Sequence, residues 1–280
     1  MCGGNNFLVE VSNLWHMYDG EIAAVRGANL QIASGGIVAI VGSNGSGKTT
    51  LIKHFNGLLQ PSKGSVVIQG MDTRNTKTSR LAKVVGYVFQ NPDHQIFCST
   101  VLEETLFGLK QMKVPDVEAS SRAARALEAV NLYDMRDRHP RQLSHGQRQR
   151  LATASVLALE TKVLVLDEPT TGQDFVSRRQ IMTLAMGLER QGRTIILVTH
   201  DMSLVAEYAT RVIVMKDGQI LINTTPIDLF SQDDILAQTG LKVPPVIEIY
   251  RGLNIQQTTP TLTIEDMCTL ISSQTPNREH

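Results

Sequence analysis

Gly42-Ser43-Asn44-Gly45-Ser46-Gly47-Lys48-Thr49 follows a short apolar run, Ile37-Val38-Ala39-Ile40-Val41, and leads directly into Thr50-Leu51-Ile52. The order reads as strand, phosphate-cradling loop, helix, and the spacing is that of the P-loop, G-x-x-x-x-G-K-[ST]. Glycines at these positions permit backbone angles closed to other residues, so successive N–H groups converge on phosphate oxygens at the positive end of the following helix. Lys48 adds a point charge toward the β and γ phosphates, and Thr49 a hydroxyl oxygen suited to Mg²⁺, a hard cation. A Gly/Ser turn that merely ends in Lys-Thr is the plain alternative, and the rest of the chain decides against it.

Outward from this loop, further β-branched runs alternate with helical patterns: Val84–Val88, Val163–Leu166, Thr194–Thr199 and Val212–Met215. With Ile37–Val41 they read as buried strands of a parallel sheet covered on both faces. Leu8–Val11, Gly27–Ile32 and Ser65–Ile68 instead read as half-exposed antiparallel strands, separated by Asp19-Gly20, Ser34-Gly35-Gly36 and Lys63-Gly64 turns. Val101–Met112 and Asp116–Asn131, split by Pro115, interrupt the alternation as an inserted helical subdomain, about 92–160. Past Asn223 the strands are expected to stop, leaving three short helices broken at Pro226, Pro244-Pro245 and Pro260. In the last of these Thr263 caps with Asp266, Leu262 and Met267 form a staple, and Ile264, Met267, Cys268 and Ile271 share a face expected to be buried on its own domain. The fold class is α/β, with a P-loop NTPase domain over 1–223 and a helical extension over 224–280.

Composition narrows the function. A chain of 280 residues has ample length for a core, and no stretch reaches the twenty or so apolar residues of a membrane span. Lys+Arg and Asp+Glu balance at 27 each, so no overall basic field draws a nucleic acid, and none is expected as a partner. Cys2, Cys98 and Cys268 are too few and too scattered for a disulfide framework or metal cluster, which suits a reducing cytoplasm. Met1–Asn6 has neither a charged nor an apolar signal region, so secretion or lipoprotein processing at Cys2 is not expected.

Two further elements carry chemistry. Val163-Leu164-Val165-Leu166-Asp167-Glu168 sets two carboxylates at the exit of a buried strand, where ligands bind in such sheets. There Asp167 helps hold Mg²⁺ and Glu168 orients an attacking water. Leu143-Ser144-His145-Gly146-Gln147 follows the helical insert and starts a helix, offering N–H groups and a dipole to an anion. Alone, Ser144 also reads as an ordinary N-cap. With the P-loop and the strand-end acids, this segment resembles the signature motif of ABC-type ATPases, most often L-S-G-G-Q; His145 stands where Gly is usual.

That resemblance implies ATP and Mg²⁺ as cofactors and a head-to-tail dimer. In it Ser144, Gly146 and Gln147 of one protomer face the γ-phosphate held by Gly42–Thr50 of a second ABC ATPase subunit, identical or paralogous. It implies that Gln90, after Val88-Phe89, senses Mg²⁺ and water, that His200 contacts the γ-phosphate, and that Asp174 is the D-loop acid. Tyr18, 24 residues before Gly42, is implied to stack on adenine, though an aromatic in a half-exposed sheet also serves as core. Gln90-Asn91-Pro92-Asp93-His94-Gln95-Ile96-Phe97 is similar to the energy-coupling-factor branch of ABC importers, including the cobalt and nickel uptake ATPases, and Leu241-Lys242-Val243-Pro244-Pro245 to that branch's extension. The likeness implies a transmembrane scaffold subunit with coupling helices, a small membrane substrate-capture subunit, and a place on the cytoplasmic face of the membrane. Ile96 and Phe97 are the candidates for the groove that accepts a coupling helix, with burial in the core as the alternative. A soluble ABC ATPase uncoupled from transport, or one of another importer branch, is the competing expectation.

Overall fold

The computed structural model describes residues 7–253 and 262–274. Cys2 with the rest of the N-terminal segment, and the break expected at Pro260, lie outside them.

Two sheets organise the chain. Strands β1 (Phe7–Tyr18), β2 (Ile22–Ala33), β4 (Lys63–Ile68) and β5 (Met71–Asp72) form an antiparallel sheet in the order β2-β1-β4-β5. The expected strands are extended in both directions, because the Asp19-Gly20 turn, with φ 50° and 76°, lets β1 and β2 pair as a long hairpin. The second sheet comprises β3 (Ile37–Val41), β6 (Val85–Val88), β7 (Val163–Asp167), β8 (Thr194–Val198), β9 (Arg211–Lys216) and β10 (Gln219–Thr224). Its order is β10-β9-β3-β8-β7-β6, and all neighbours but β9 and β10 are parallel.

Covered faces explain the unbroken apolar strands. On one face Val38, Ile40, Val163, Val165, Ile196 and Val198 pack with Leu51 and Phe55 around helix α1 (Lys48–Lys53) and with Val9, Leu30 and Val66 of the antiparallel sheet. On the other, Leu164, Leu166, Ile195 and Leu197 meet Val156 and Leu157 of α5 (His145–Leu157) and Met182 and Ala185 of α6 (Phe175–Arg190). Adjacent residues of one strand thus serve opposite layers, the period-two rule applied to a sheet with no wet face. Helix α2 (Thr78–Leu81) adds Leu81 to the first layer.

The helical insert packs α3 (Val101–Gln111) and α4 (Asp116–Ala129) against α5 through Leu109, Leu127 and Leu151. Thr100 starts α3 with a capping box: its hydroxyl accepts the Glu103 N–H at 3.1 Å and the Glu103 carboxylate accepts the Thr100 N–H at 3.1 Å. Helix α7 (Met202–Tyr208) returns the chain from β8 to β9.

The C-terminal expectations need correction. The strands do stop, at Thr224, the end of β10, which pairs with β9 across a two-residue Asp217-Gly218 turn; four described helices then follow instead of three: α8 (Pro226–Phe230), α9 (Asp233–Thr239), α10 (Pro245–Gly252) and α11 (Ile264–Gln274). In α11 Met267 and Leu270 are buried with Tyr250, whereas Ile264, Cys268 and Ile271 are exposed. The i, i+3 pair that meets α10 therefore defines the packed face. Thr263 does accept the Asp266 N–H, at 3.1 Å. Leu262 packs instead with the cluster around Phe230, apart from Met267.

Candidate functional site

Three neighbouring strands, β3, β8 and β7, present the chemical groups at their C-terminal ends. From β3 the chain turns at Gly42, where φ is 148° and a Cβ would lie 2.1 Å from the Met215 carbonyl oxygen, so no other residue fits. Ser43, Asn44 and Gly45 are exposed at the crest of the loop, and Ser46 is buried at its base. Gly47, with φ 98° and backbone 2.4 Å from where its Cβ would stand, begins α1. Gly218 of the β9–β10 turn clasps this loop from outside, donating its N–H to Ser46 O at 3.1 Å and accepting the Arg26 N–H at 2.8 Å.

Lys48 is buried, and its ammonium donates to the Gly42 and Ser43 carbonyls, both at 2.9 Å. Burial pushes its pKa below the ordinary lysine value, and the carboxylates of Glu168 and Asp167 oppose that shift. The Thr49 hydroxyl donates to Asp167 Oδ1 at 3.5 Å, while the Tyr87 hydroxyl donates to Asp167 Oδ2 at 2.8 Å. Burial raises the Asp167 pKa, with the Tyr87 and Thr49 bonds acting in the other direction. Thr49 and Asp167 offer oxygen atoms of the kind Mg²⁺ prefers. Among the described residues no three His, Cys, Asp or Glu gather as a metal cage.

Glu168 occupies the left-handed region at φ 51°, a conformation costing about 1–2 kcal/mol for a residue with a Cβ. Its N–H donates to Val198 O at 2.9 Å, which ties the turn to β8. The carboxylate is fixed by the Thr171 hydroxyl at 3.1 Å and lies 2.9 Å from His200 Nδ1. His200 itself projects outward with 65% of its side chain exposed. Glu168 is thus oriented from two sides while His200 stays open to solvent. Gln90 is exposed two residues past β6, the strand beside β7.

Tyr18 ends β1 over the start of α1, its hydroxyl 3.3 Å from Thr50 Oγ1. Its ring meets that of His16 in a T-shaped contact at 4.7 Å, and the residue is 39% exposed. Across the molecule Ser144 caps α5: its hydroxyl accepts the Gln147 N–H at 3.2 Å, and the Gln147 side chain returns the bond to the Ser144 N–H at 2.8 Å. The N-cap reading of Ser144 is therefore correct, with a reciprocal capping box. Gly146 lies where a Cβ would sit 3.2 Å from Gln173 Oε1. Asp174 caps α6 through the Ser177 N–H at 2.8 Å, the bond that chiefly holds its pKa low, and Arg150 of α5 reaches Ser177 Oγ. Helices α5 and α6 are thus joined near their N-termini.

Sequence reading missed Tyr87, Thr171, His16 and His54. A tyrosine inside the otherwise aliphatic Val84–Val88 run was the available signal for the first, since a buried hydroxyl needs a partner. His54, fully buried at the end of α1, lies with Nδ1 2.7 Å from Thr50 O and Nε2 3.1 Å from His16 Nδ1. Nothing in its local sequence announced that pairing.

Residues 25–171 match the family model described as ABC transporter. The energy-coupling factor transporter ATP-binding protein EcfA of Methanocaldococcus jannaschii is 41% identical over 256 residues, 91% of this chain and 92% of that protein. A chain of Caldanaerobacter subterraneus, provisionally named an ABC transporter ATP-binding protein, is 43% identical over 88% of this chain but only 43% of its own length. This chain spans about two fifths of the first curated relatives it matches, at 43%, 44% and 38% of their lengths. Among solved structures, CbiO1 of Clostridium perfringens, part of the ABC transporter complex CbiONQ, superposes with a TM-score of 0.73 at 34% identity, covering 90% of this chain and 100% of that one. The dimeric ATP-binding cassette MJ0796, in a post-hydrolysis state with ADP and phosphate, gives 0.72 at 32% identity over 78% of this chain and 98% of that one.

Proposed function

The chain belongs to the ABC transporter ATP-binding family and has its cassette fold, and from that premise we propose that it binds and hydrolyses ATP to drive an importer of the energy-coupling-factor type. The observation that carries the hydrolytic reading is the Glu168 carboxylate, buried and fixed 2.9 Å from His200 at the strand ends beside the phosphate loop. Phosphoryl transfer to water needs positioning and charge neutralisation more than covalent chemistry. The loop amides of Ser43–Thr49 receive phosphate oxygens, and Lys48 exchanges its carbonyl partners for them. Thr50 closes the end of the cradle and Tyr18 stacks on the adenine. Thr49, Asp167 and Gln90 are the residues that would hold Mg²⁺, and the cation would supply neutralisation of phosphate charge. Glu168 accepts a hydrogen bond from the attacking water, and His200 donates to the γ-phosphate.

Ser144, Gly146, Gln147 and Asp174 complete the site of a second ABC ATPase subunit, so ATP joins two chains and hydrolysis releases them. On this reading residues 1–223 form the nucleotide-binding domain and 224–280 an extension. The EcfA relative and the CbiO1 structure support the importer branch. A groove of about 450 Å³ lined by Asp93, Ile96, Phe97 and Arg148 suits a coupling helix of a transmembrane scaffold: Phe97 is 65% exposed and stacks edge-on against Phe107. A small membrane subunit captures the solute, a vitamin or a transition-metal ion such as cobalt or nickel. No helix among the described residues is long and apolar enough to cross a membrane, which fits a peripheral place on its cytoplasmic face.

Glu168→Gln tests the site. The variant is expected to bind ATP and elute as a dimer while hydrolysing at least about a hundredfold more slowly. Near-normal turnover would move the water-orienting role elsewhere. Isolation of this chain with small integral membrane proteins tests the transport assignment.

A further inference from the structure

Arg148 lies in the first turn of α5, where the helix dipole disfavours a cation and where no acidic residue offsets it. Helix stability does not account for an arginine there. Its guanidinium is instead spent on two contacts that point in different directions. Nη1 donates to Leu143 O at 2.7 Å, the carbonyl immediately before Ser144, and Nε donates to Asp93 Oδ1 at 2.8 Å. The Arg148 side chain is 23% exposed and Asp93 55%, so the ion pair contributes little to folding. What the fork does supply is a fixed distance between two segments, because its planar donors hold both partners at once.

Both segments matter to the proposed cycle. Leu143 leads into the turn that faces the partner's nucleotide. Asp93 belongs to the stretch that starts at Gln90 and floors the groove; its own N–H is held by Asn91 Oδ1 at 2.9 Å. The far end of that stretch is strapped to the helical insert: the Glu104 carboxylate accepts the N–H groups of Phe97 and Cys98 at 3.0 and 2.9 Å. Gln95 fastens the middle, donating to Ala152 O at 2.8 Å and accepting the Phe89 N–H at 3.2 Å. The segment is therefore tied at its middle and far end to α5 and α3.

We propose that Arg148 is the positioning residue that couples the Ser144 turn to the groove floor, so that nucleotide held at one and a helix seated at the other favour the same guanidinium geometry. This rests on the dimer reading above. Coupling of this kind is reciprocal: whatever factor ATP lends to groove order, a groove ligand lends to ATP affinity.

The test follows hydrogen exchange of the amides of residues 92–98 in the Glu168→Gln chain, with and without ATP. ATP is expected to slow exchange there by about fivefold or more, the range of ordinary allosteric coupling. Adding Asp93→Ala, which leaves the Leu143 bond intact, is expected to abolish that ATP-dependent difference while dimer formation with ATP persists. Arg148→Lys should do the same, and in both variants the exchange of residues 92–98 without ATP should stay near that of the parent, an outcome that mere loosening of the loop would not produce. Persistence of the ATP effect in Asp93→Ala, or its absence in the parent despite dimerisation, overturns the proposal. Failure of the parent to dimerise with ATP, read separately by size-exclusion chromatography, removes the dimer reading and this coupling with it.

Discussion

His54 and His16 fix each other's protons. Thr50 O can only accept, so His54 Nδ1 carries its hydrogen; the bare His54 Nε2 then requires a proton on His16 Nδ1, which also faces Gln60 O at 3.2 Å. A second proton on His54 would have to displace the one on His16 Nδ1, and burial chiefly lowers the His54 pKa from 6.5 to about 4. The unfolded chain therefore binds this proton from about pH 6.5 downward and the folded chain only near 4. Stability from this group is intact above pH 6.5 and is lost as pH falls toward 4, by about 3 kcal/mol in all. His54→Leu should show a flatter dependence of Tm on pH across that window, whatever its stability at pH 8; an unchanged slope would assign acid sensitivity to other groups. At Asp167, Tyr87→Phe strips one bond from a buried carboxylate that is also a prospective cation ligand. Outer-shell losses of this kind weaken metal affinity about 10- to 100-fold. Titration of nucleotide-bound protein with Mn²⁺, followed by electron paramagnetic resonance, should show that weakening, and undiminished affinity would leave Tyr87 a purely structural role.

At the scale of elements, the β9–β10 turn is the part whose importance the sequence understated. Asp217-Gly218, with φ 50° and 81°, is a two-residue hairpin turn of the most recognisable kind, yet the polar alternation of β10 conceals it beside the apolar parallel strands. Gly218→Val forces a Cβ to 2.9 Å from the Ala24 carbonyl oxygen at a φ that branched residues avoid. The clasp on Ser46 should loosen, weakening ATP binding by about tenfold, equivalent to one lost hydrogen bond. Calorimetry would read this, and native affinity with native Tm would show the clasp to be dispensable. Helix α3 offers a contrasting case. Thr100→Ala removes a capping box and should cost about 1 kcal/mol, seen as a lower chemical-denaturation midpoint. Its signature, Thr-x-x-Glu before an apolar stretch, is local, yet the helix was placed from the sequence and its cap was not. The packed face of α11 was not legible at all, since Ile264 and Leu270 are equally apolar and only the position of α10 selects between them.

For the whole molecule, legibility follows the same division. The five central strands stood out because burial on both faces demands unbroken β-branched runs, and the P-loop because its glycines answer to backbone geometry rather than to partners. Residues whose meaning depends on a distant contact, such as Tyr87 reaching Asp167 or Arg148 reaching Asp93, carry no mark at their own positions. The sheet order also settles the scale on which the chemistry is laid out. Lys48, His200 and Glu168 follow three consecutive strands, β3, β8 and β7, and strands repeat every 4.8 Å or so. The span from the end of β3, which leads into Lys48, to the end of β7, which leads into Glu168, is therefore about 10 Å, two steps of a ruler graduated by main-chain bonding. Side-chain exchange can alter what stands at each graduation, but widening the opening for a bulkier reacting group would take a whole extra strand.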